Sequence, residues 1–253
     1  MLKGFWKLSW VETKVFVREP MGVIGSLLIP VLLFVMFGRL FGAGKSNAQS
    51  MPVAGSMSAP PFNVAIAAAL LMAIGAVLSL IAIISIYREG GILKRLRATP
   101  LSPVTILGSH VVVKLIFTVI GMSLLTAAGR RTFPGLMSVN LLSFTAAVLL
   151  STASILSLGF VIASIVPTAR FAQPIGAAVF YPMVAISGLF YPLDRLPHSL
   201  QSFAQLFPTT HAVGLLQGVW DGSGWSAHLG DVGALMASAV VCIALATRVF
   251  RWE

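Results

Sequence analysis

The sequence predicts an all-α integral membrane protein with six transmembrane helices, an N-terminal amphipathic interfacial helix and an external re-entrant helical hairpin between helices five and six. Composition is the first observation behind this prediction: 57% of the 253 residues are hydrophobic and 9% are charged, against about 25% charged residues in soluble domains. The apolar residues also fall into long runs with almost no charge. The net charge of +10 comes from Lys and Arg residues between those runs, which is typical of membrane flanks and disfavours nucleic acid as a partner.

Six apolar segments are each close to the ~20 residues that cross a bilayer. Pro30 and Pro182 fall inside the first and fifth segments, where a kink is tolerated when neighbouring helices satisfy the freed carbonyls. A signal peptide cleaved after Ser46-Asn47-Ala48 is the alternative for the first segment, but its apolar run is long and interrupted by Pro30. The predicted spans cover 21–41, 62–86, 104–128, 140–165, 174–192 and 229–248.

The distribution of basic residues predicts the orientation of the chain. An even number of spans puts both termini on one side, and the cytoplasmic side of a membrane protein is enriched in Lys and Arg. With cytoplasmic termini, eleven basic residues lie inside and five outside. The predicted location is therefore the bacterial inner membrane, with both termini cytoplasmic. The external residues, among which the adjacent pair goes against the trend, are Arg39, Lys45, Arg130, Arg131 and Arg195.

Segment 1–19 predicts an amphipathic helix in the cytoplasmic headgroup layer. Lys3, Lys7, Lys14 and Arg18 line a stripe beside a cluster of large apolar residues, a pattern typical of interfacial helices. Glu19-Pro20 ends the helix, because the residue before proline disfavours the α conformation. A plain basic segment that merely orients the first span is the alternative. The apolar cluster consists of Leu2, Phe5, Trp6, Trp10, Phe16 and Val17.

The loop 87–103, between spans two and three, contains a short predicted helix. Gly90-Gly91 gives a flexible start, and Thr99-Pro100 stops the helix. Apolar residues on one face are surrounded by basic residues on the others. This pattern indicates either a docking surface for another protein or an ordinary solvated basic loop, and physics alone does not choose between them. The apolar residues are Ile92, Leu93 and Leu96, and the basic ones are Lys94, Arg95 and Arg97.

Few residues inside the predicted spans suggest chemistry. Lys114 lies about eleven residues into span three, and an intramembrane cation is a candidate functional residue. It lies one turn beyond His110 on the same face, and the preferred interpretation is structural: the lysine snorkels to the cytoplasmic side, or the start of span three is interfacial. The scattered histidines and the single Cys242 give no catalytic, cofactor-binding or metal-ligand spacing.

Two further patterns limit how transport could be driven. The seven acidic residues all fall in loops, tails or span ends, whereas ion-coupled carriers usually keep a carboxylate or unwound ion site near the midplane. The segment 38–46 looks like a P-loop, but Arg39 stands where the motif requires glycine. The chain is therefore not expected to hydrolyse ATP by itself.

The external segment 193–220 predicts two short helices. The apolar residues of the first follow one another at steps of three and four, which makes a narrow stripe on a helix too short to span. Thr209-Thr210 can cap the second helix, which runs to about Trp220. We interpret the pair as a hairpin that dips into the outer leaflet, and a loop helix without a role in transport is the alternative. The stripe consists of Leu193, Leu196, Leu200, Phe203 and Phe207.

The cytoplasmic loop resembles the coupling-helix region of ABC-2 type permeases. The matching string is Arg88-Glu89-Gly90-Gly91-Ile92-Leu93, followed by Leu96 and Thr99-Pro100-Leu101-Ser102. The resemblance implies that this element inserts into a groove on a nucleotide-binding subunit and transmits its closure to the membrane helices. Ile92 departs from the family, which often has threonine there. The positions to which the coupling role is carried over are Glu89, Gly91, Leu93, Leu96, Thr99 and Pro100.

The external segment is similar to the C-terminal signature of the same family, in which re-entrant helices form the external gate. The similarity begins with Ser187-Gly188-Leu189-Phe190-Tyr191-Pro192 and ends with His211-Ala212-Val213. Together, the interfacial helix, the six spans, the cytoplasmic loop and this segment match every part of the family's arrangement. Residues 1–253 are therefore expected to form one transmembrane domain. The hairpin residues implied to form the gate are Pro192, Leu196, Pro197, Leu200, Phe203, Phe207 and Pro208.

The resemblance implies a permease subunit of an ATP-binding-cassette exporter, which moves a hydrophobic or amphipathic small molecule (a drug, an antibiotic or a lipid) outward. ATP and Mg²⁺ would be bound by a separate cytoplasmic ABC ATPase, and a second copy of the permease would complete the assembly in the lipid bilayer. Export of a lipid-linked glycan or polysaccharide is the alternative cargo. A non-transporting membrane scaffold and a secondary carrier are alternatives of other classes.

Overall fold

A computed structural model describes residues 2–18, 24–42, 64–91, 103–132, 140–166 and 168–249, and within these ranges the chain is helical without any β-strand. The helices are α1 (Leu2–Arg18), α2 (Ile29–Gly42), α3 (Val64–Glu89), α4 (Pro103–Thr132), α5 (Leu141–Ile165), α6 (Ala169–Ala185), α7 (His198–Ala204), α8 (Pro208–Trp220), α9 (Gly224–Ala227) and α10 (Leu229–Val249). The all-α prediction is confirmed for this part of the chain.

Four of the described helices are long and apolar enough to cross a membrane. They lie in α3, α4, α5 and α10, and the membrane-length segments are Ile66–Glu89, Gly108–Arg131, Leu141–Ile165 and Leu229–Arg248. These segments correspond to the predicted spans two, three, four and six. The total of six spans and the re-entry of the hairpin into the bilayer stay predictions.

The first predicted span begins with an irregular turn. A wide π-helical turn, Ile24–Leu28, precedes α2. Pro30 explains the irregularity, because proline has no amide hydrogen to donate to the carbonyl four residues earlier. The helix continues to Gly42, and both the turn and α2 pack against α3 and α4.

The fifth predicted span is displaced towards the N-terminus. The prediction placed it at 174–192, whereas α6 is 17 residues long and covers Ala169–Ala185. Pro174 lies inside the helix, not before it. The chain turns beyond α6, where Gly188 has φ +90°, a left-handed conformation that glycine adopts without steric cost. The predicted bounds were wrong, because they extended the helix over this turn and left out its first residues from Ala169.

The core is organised around α5. This helix packs against α3, α4, α8 and α10, and Asn140 caps its start by accepting hydrogen bonds from the amides of Leu142 and Ser143 at 3.2 and 3.3 Å. Gly159 allows the closest approach to α3, since a Cβ there would lie 2.6 Å from Cγ1 of the buried Val77. Small residues at such crossings let membrane helices pack backbone to backbone.

Candidate functional site

The start of the predicted coupling loop is a defined turn at the end of α3. Glu89 is the last, exposed residue of the helix. The amide of Gly90 donates to the carbonyl of Ile86 at 2.9 Å, and the amide of Gly91 donates to that of Arg88 at 3.1 Å. Gly91 has φ +65°, as expected for a glycine that terminates a helix. Of the predicted coupling residues, Glu89 and Gly91 are placed, while Leu93, Leu96, Thr99 and Pro100 lie outside the described residues.

Arg88 connects the end of α3 to the end of α5. Its Nη1 atom donates to the carbonyl of Val166 at 2.6 Å, and Nη2 donates to the carbonyl of Ala163 at 3.1 Å. The last carbonyls of a helix have no partner within the helix and carry its negative dipole end. The Arg88 guanidinium supplies hydrogen-bond donors for these carbonyls and a positive charge at the negative end of the helix dipole. Sequence analysis had assigned Arg88 to the cytoplasmic basic set and to the coupling string without predicting this contact.

A buried polar cluster joins α1, α3 and α4 next to this turn. The Tyr87 hydroxyl donates to Glu12 Oε1 at 2.8 Å, and His110 Nδ1 lies 3.4 Å from Glu12 Oε2. Glu12 and His110 are only 4% and 2% exposed. A carboxylate buried to this degree requires polar partners, because desolvation of an uncompensated charge is costly. We call Glu12, Tyr87, His110 and Lys114 the polar junction.

Lys114 belongs to the polar junction and does not reach the surface. The residue is 4% exposed, and its Nζ donates to the Ser79 hydroxyl of α3 at 2.7 Å. The expectation that its ammonium snorkels to the cytoplasmic side is therefore not met. The side chain instead turns across to α3, one turn beyond His110 on α4.

The segment predicted to be external forms two α-helices, α7 and α8, that differ in burial. The first is shorter than predicted: Leu193 lies in a separate 3-10 turn, Leu193–Arg195, and Leu196 and Phe207 lie outside α7. In α7, which follows the N-cap residue Pro197, Leu200 and Phe203 are exposed. The ring of Phe203 makes an edge contact with Phe207, their centroids 4.9 Å apart. Pro208 occupies the first turn of α8, where its missing amide hydrogen has no consequence. The remaining hairpin positions, both partly buried, are Pro192 and Leu196.

Helix α8 is part of the core and not a surface loop. The predicted cap at Thr209-Thr210 is wrong, because α8 begins at Pro208 with Phe207 as its N-cap residue. Thr209 instead donates to the carbonyl of Met183 in α6 at 3.3 Å, and Thr210 donates to that of Ala204 in α7 at 2.7 Å. Beyond Thr210 the buried residues of α8 are all apolar, and Trp220 makes an edge contact with Phe144 of α5. Movement of α8 therefore requires repacking against α5 and α10.

A second polar cluster, which sequence analysis missed, holds α8 to α10. Asp231 accepts from both histidines on either side of it: His211 Nδ1 lies 2.8 Å from Oδ1, and His228 Nδ1 lies 2.9 Å from Oδ2. Gly214 leaves room for the Asp231 carboxylate, because a Cβ there would lie 3.0 Å from Oδ2. Gly218 leaves room for the His228 ring, because a Cβ there would collide with it. We call His211, His228 and Asp231 the histidine clamp.

The histidine clamp had a weak signal in the sequence. His228 and Asp231 are three residues apart, and the two glycines of α8 are four apart, so each pair lies on one helical face. The contact with His211 spans twenty residues and could not be read from spacing. Among the described residues, no group of three or more His, Cys, Asp or Glu side chains is arranged to hold a metal ion.

Taken together, the membrane-length helices around α5 define a multi-pass α-helical membrane protein. The polar junction and the histidine clamp lie towards opposite ends of this bundle, because Arg88 contacts the C-terminal end of α5 while Trp225, near the clamp, donates to Ser143 at its start at 2.7 Å. Residues 3–219 match the family described as ABC-2 type transporter. The chain belongs to that family, whose members are transport subunits that work with ABC ATPases.

Two curated relatives share a smaller part of the chain. Nodulation protein J of Bradyrhizobium diazoefficiens is 34% identical over 95 residues, which cover 38% of this chain and 36% of that protein. Nodulation protein J of Rhizobium meliloti is 27% identical over 114 residues, which cover 45% of this chain and 43% of that protein. The match thus spans less than half the length of either relative.

Proposed function

We propose that this chain is the transmembrane permease subunit of an ATP-binding-cassette exporter in a bacterial inner membrane. It moves a hydrophobic or amphipathic small molecule outward, while ATP and Mg²⁺ are held by a separate cytoplasmic ATPase. The membership of the ABC-2 type transporter family supports the transport role. The observation that supports the coupling role is the turn at Glu89–Gly91, because it ends a membrane-length helix immediately before the segment that resembles a coupling helix.

The contacts around this turn favour a mechanical connection. Tyr87 is bonded to α1, and Arg88 is bonded to the end of α5. A force applied by an ATPase to the loop after Gly91 is thereby delivered to three helices. In the proposed cycle, ATP closes the ATPase dimer, the loop around Leu93 and Leu96 moves with it, and a path opens that the α7–α8 hairpin closes from outside.

We propose a dimer of permeases with two copies of the ATPase, in which both termini of this chain are cytoplasmic. Residues 1–253 are taken as one transmembrane domain with six spans. The sidedness is testable with single cysteines at Lys45 and Arg95 in a Cys242→Ser background. A membrane-impermeant maleimide added to intact cells is expected to label the cysteine at 45 and not the one at 95. External labelling at 95 would reverse the orientation.

The cargo proposed first is an amphipathic drug, antibiotic or lipid. The interior around α3, α5 and α8 supports this choice, because its buried residues are predominantly Ala, Leu, Ile, Val and Phe. One observation favours a lipid-linked glycan or polysaccharide as the second candidate. The hydroxyls of Ser151 and Thr152 in α5 are buried without a hydrogen-bond partner in the described part of the chain, and sugar hydroxyls could satisfy them.

The decisive test of the function pairs this chain with candidate ABC ATPases from the same organism, beginning with any P-loop ATPase whose gene lies beside this one. Leu93→Asp places a charge in the surface that is expected to dock, and should abolish co-purification and ATP-dependent transport. Arg95→Gln, predicted on another face of the same short helix, is the matched control and should retain binding. Unchanged binding and transport in Leu93→Asp would refute the coupling assignment.

The two cargo classes are separated in the same system. Proteoliposomes containing both subunits are assayed with ethidium in one preparation and with a fluorescent undecaprenyl-linked oligosaccharide in another. ATP-dependent movement of ethidium alone supports the first class, and movement of the oligosaccharide alone supports the second.

A further inference from the structure

Glu12 is buried, whereas the described basic side chains of α1 are exposed. Trp6 and Trp10 of α1 are 61% and 62% exposed, as expected for a helix that contacts headgroups. Lys7 and Lys14 are exposed as well. Glu12 is 4% exposed, although adsorption of α1 to lipid requires no buried carboxylate. Its position therefore calls for a different explanation.

The partners of Glu12 come from two other helices. Tyr87 of α3 donates its hydroxyl hydrogen to Oε1 at 2.8 Å, and His110 of α4 lies 3.4 Å from Oε2. Lys114, one turn further along α4, donates to Ser79 of α3 at 2.7 Å. Hydrogen bonds in a water-poor interior are stronger than in water. The polar junction therefore fixes the orientation of α1 relative to α3 and α4 more precisely than apolar packing would.

The location of Tyr87 makes this contact mechanically important. Tyr87 is two residues from the end of α3 at Glu89, and the predicted coupling loop follows directly. Its neighbour Arg88 is bonded to the carbonyls at the end of α5. Adjacent residues thus connect the loop to different helices: Tyr87 to α1 through Glu12, and Arg88 to α5.

We propose that Glu12 is a positioning residue that transfers movement of the coupling loop to the interfacial helix α1 through the Tyr87 hydroxyl. The proposal rests on the proposed function, because it needs an ATPase that moves the loop. In this arrangement α1 is not a passive membrane anchor but moves with the end of α3. The carboxylate provides the rigid contact, and the nearby Lys114 and His110 provide the polar environment that keeps a buried carboxylate in place.

The test measures whether α1 responds to ATP. Residues 1–253 are purified with the candidate ABC ATPase, in a Cys242→Ser background with Lys7→Cys on the exposed side of α1 carrying a nitroxide. The spectrum is recorded without nucleotide and after trapping with ATP and vanadate. In the protein with an unaltered polar junction, the nitroxide spectrum should change when ATP and vanadate are added. Tyr87→Phe and Glu12→Gln should each reduce that change roughly fivefold or more, the lower end of usual allosteric couplings.

Matched controls separate positioning from simple destabilisation. Tyr181→Phe removes the same hydroxyl from a residue that is 58% exposed, and should leave the response unchanged. If the Glu12→Gln protein does not accumulate, the double variant Glu12→Gln/Lys114→Gln is used in its place, because it removes the carboxylate and the ammonium of the polar junction together. Thermal unfolding is measured on every variant, because a purely structural role would lower Tm and leave the nitroxide response intact.

The outcomes distinguish this inference from the proposed function. If Leu93→Asp abolishes the response of α1 but Tyr87→Phe and Glu12→Gln respond like the wild type, the positioning role is wrong and the exporter assignment stands. If the wild-type chain neither binds the ATPase nor responds to ATP, the proposed function fails and this inference fails with it. Loss of the response in both junction variants, with ATPase binding retained, supports the proposal.

Discussion

Replacement of Arg88 by alanine tests how the end of α3 is attached to the rest of the bundle. The guanidinium donates to the carbonyls of Val166 and Ala163 at 2.6 and 3.1 Å, where α5 has no further helical partners. Alanine removes the Nη1 and Nη2 donors, so these carbonyls lose their side-chain partner. The change also disconnects α5 from the residue that precedes the predicted coupling loop.

The magnitude follows from the number and kind of bonds lost. A hydrogen bond that involves a charged group contributes roughly 1.5–3 kcal/mol, and partial exposure of the side chain moves each towards the lower end. Two such bonds give about 3 kcal/mol. For a chain of this size, about 3 kcal/mol corresponds to a fall in Tm of roughly 6–12 °C.

Thermal unfolding of the detergent-purified chain, followed by tryptophan fluorescence, measures the effect. Arg88→Lys should give an intermediate Tm, because an ammonium keeps the charge but lacks the planar fork that reaches two acceptors. Arg130→Ala removes an exposed arginine at the far end of α4 and should leave Tm within about 1–2 °C of the wild type. Equal Tm values for Arg88→Ala and Arg130→Ala would refute the role given to Arg88.

Three further substitutions test other parts of the structure. Gly159→Val should lower the free energy of unfolding by about 1–3 kcal/mol, because the larger side chain overpacks against α3. Gly233→Val is the control and should not lower it, since a Cβ at Gly233 meets nothing within 4 Å. Equal Tm values for the two variants would contradict the close packing of α5 on α3. Asp231→Asn should lower Tm by roughly 2–8 °C because charge-assisted bonds to two histidines are lost, and the exposed Asp221→Asn should not change it. Gly91→Ala should cost about 1–2 kcal/mol, because alanine is strained at φ +65°. The variant should also bind less ATPase in a pull-down. Full binding would show that this turn need not be left-handed.

Apolar run length and capping residues predicted most helices well. The amphipathic segment 2–18 corresponds to α1 at Leu2–Arg18, and the span at 140–165 corresponds to α5 with Asn140 as its cap. These boundaries follow from local chemistry, namely a cap side chain or a proline. The fifth span was misplaced because the apolar run continues past Ala185, where the helix ends, and the left-handed turn at Gly188 is not visible in run length.

The polar contacts were the part that sequence could not predict. Lys114 was expected either to snorkel or to lie at an interfacial start of span three. Its hydrogen bond to Ser79, 35 residues earlier in the chain, could not be predicted, because only the packing of α3 on α4 brings the two side chains together. Asp231 was classed with the loop and span-end acids, yet it bonds two histidines that the fold brings together. Such partners are distant in sequence, and no helical periodicity indicates them.

The central proposal is that this chain does not hydrolyse ATP itself and that a separate ATPase drives it through the loop after Gly91. Proteoliposomes containing the permease alone, or the permease with the candidate ABC ATPase, test this proposal with ethidium as the probe and with the oligosaccharide in parallel. We predict ATP-dependent movement of a probe only when both subunits are present, and none when the permease carries Leu93→Asp. Sustained pumping by the permease alone, without a nucleotide-hydrolysing subunit, would contradict the account.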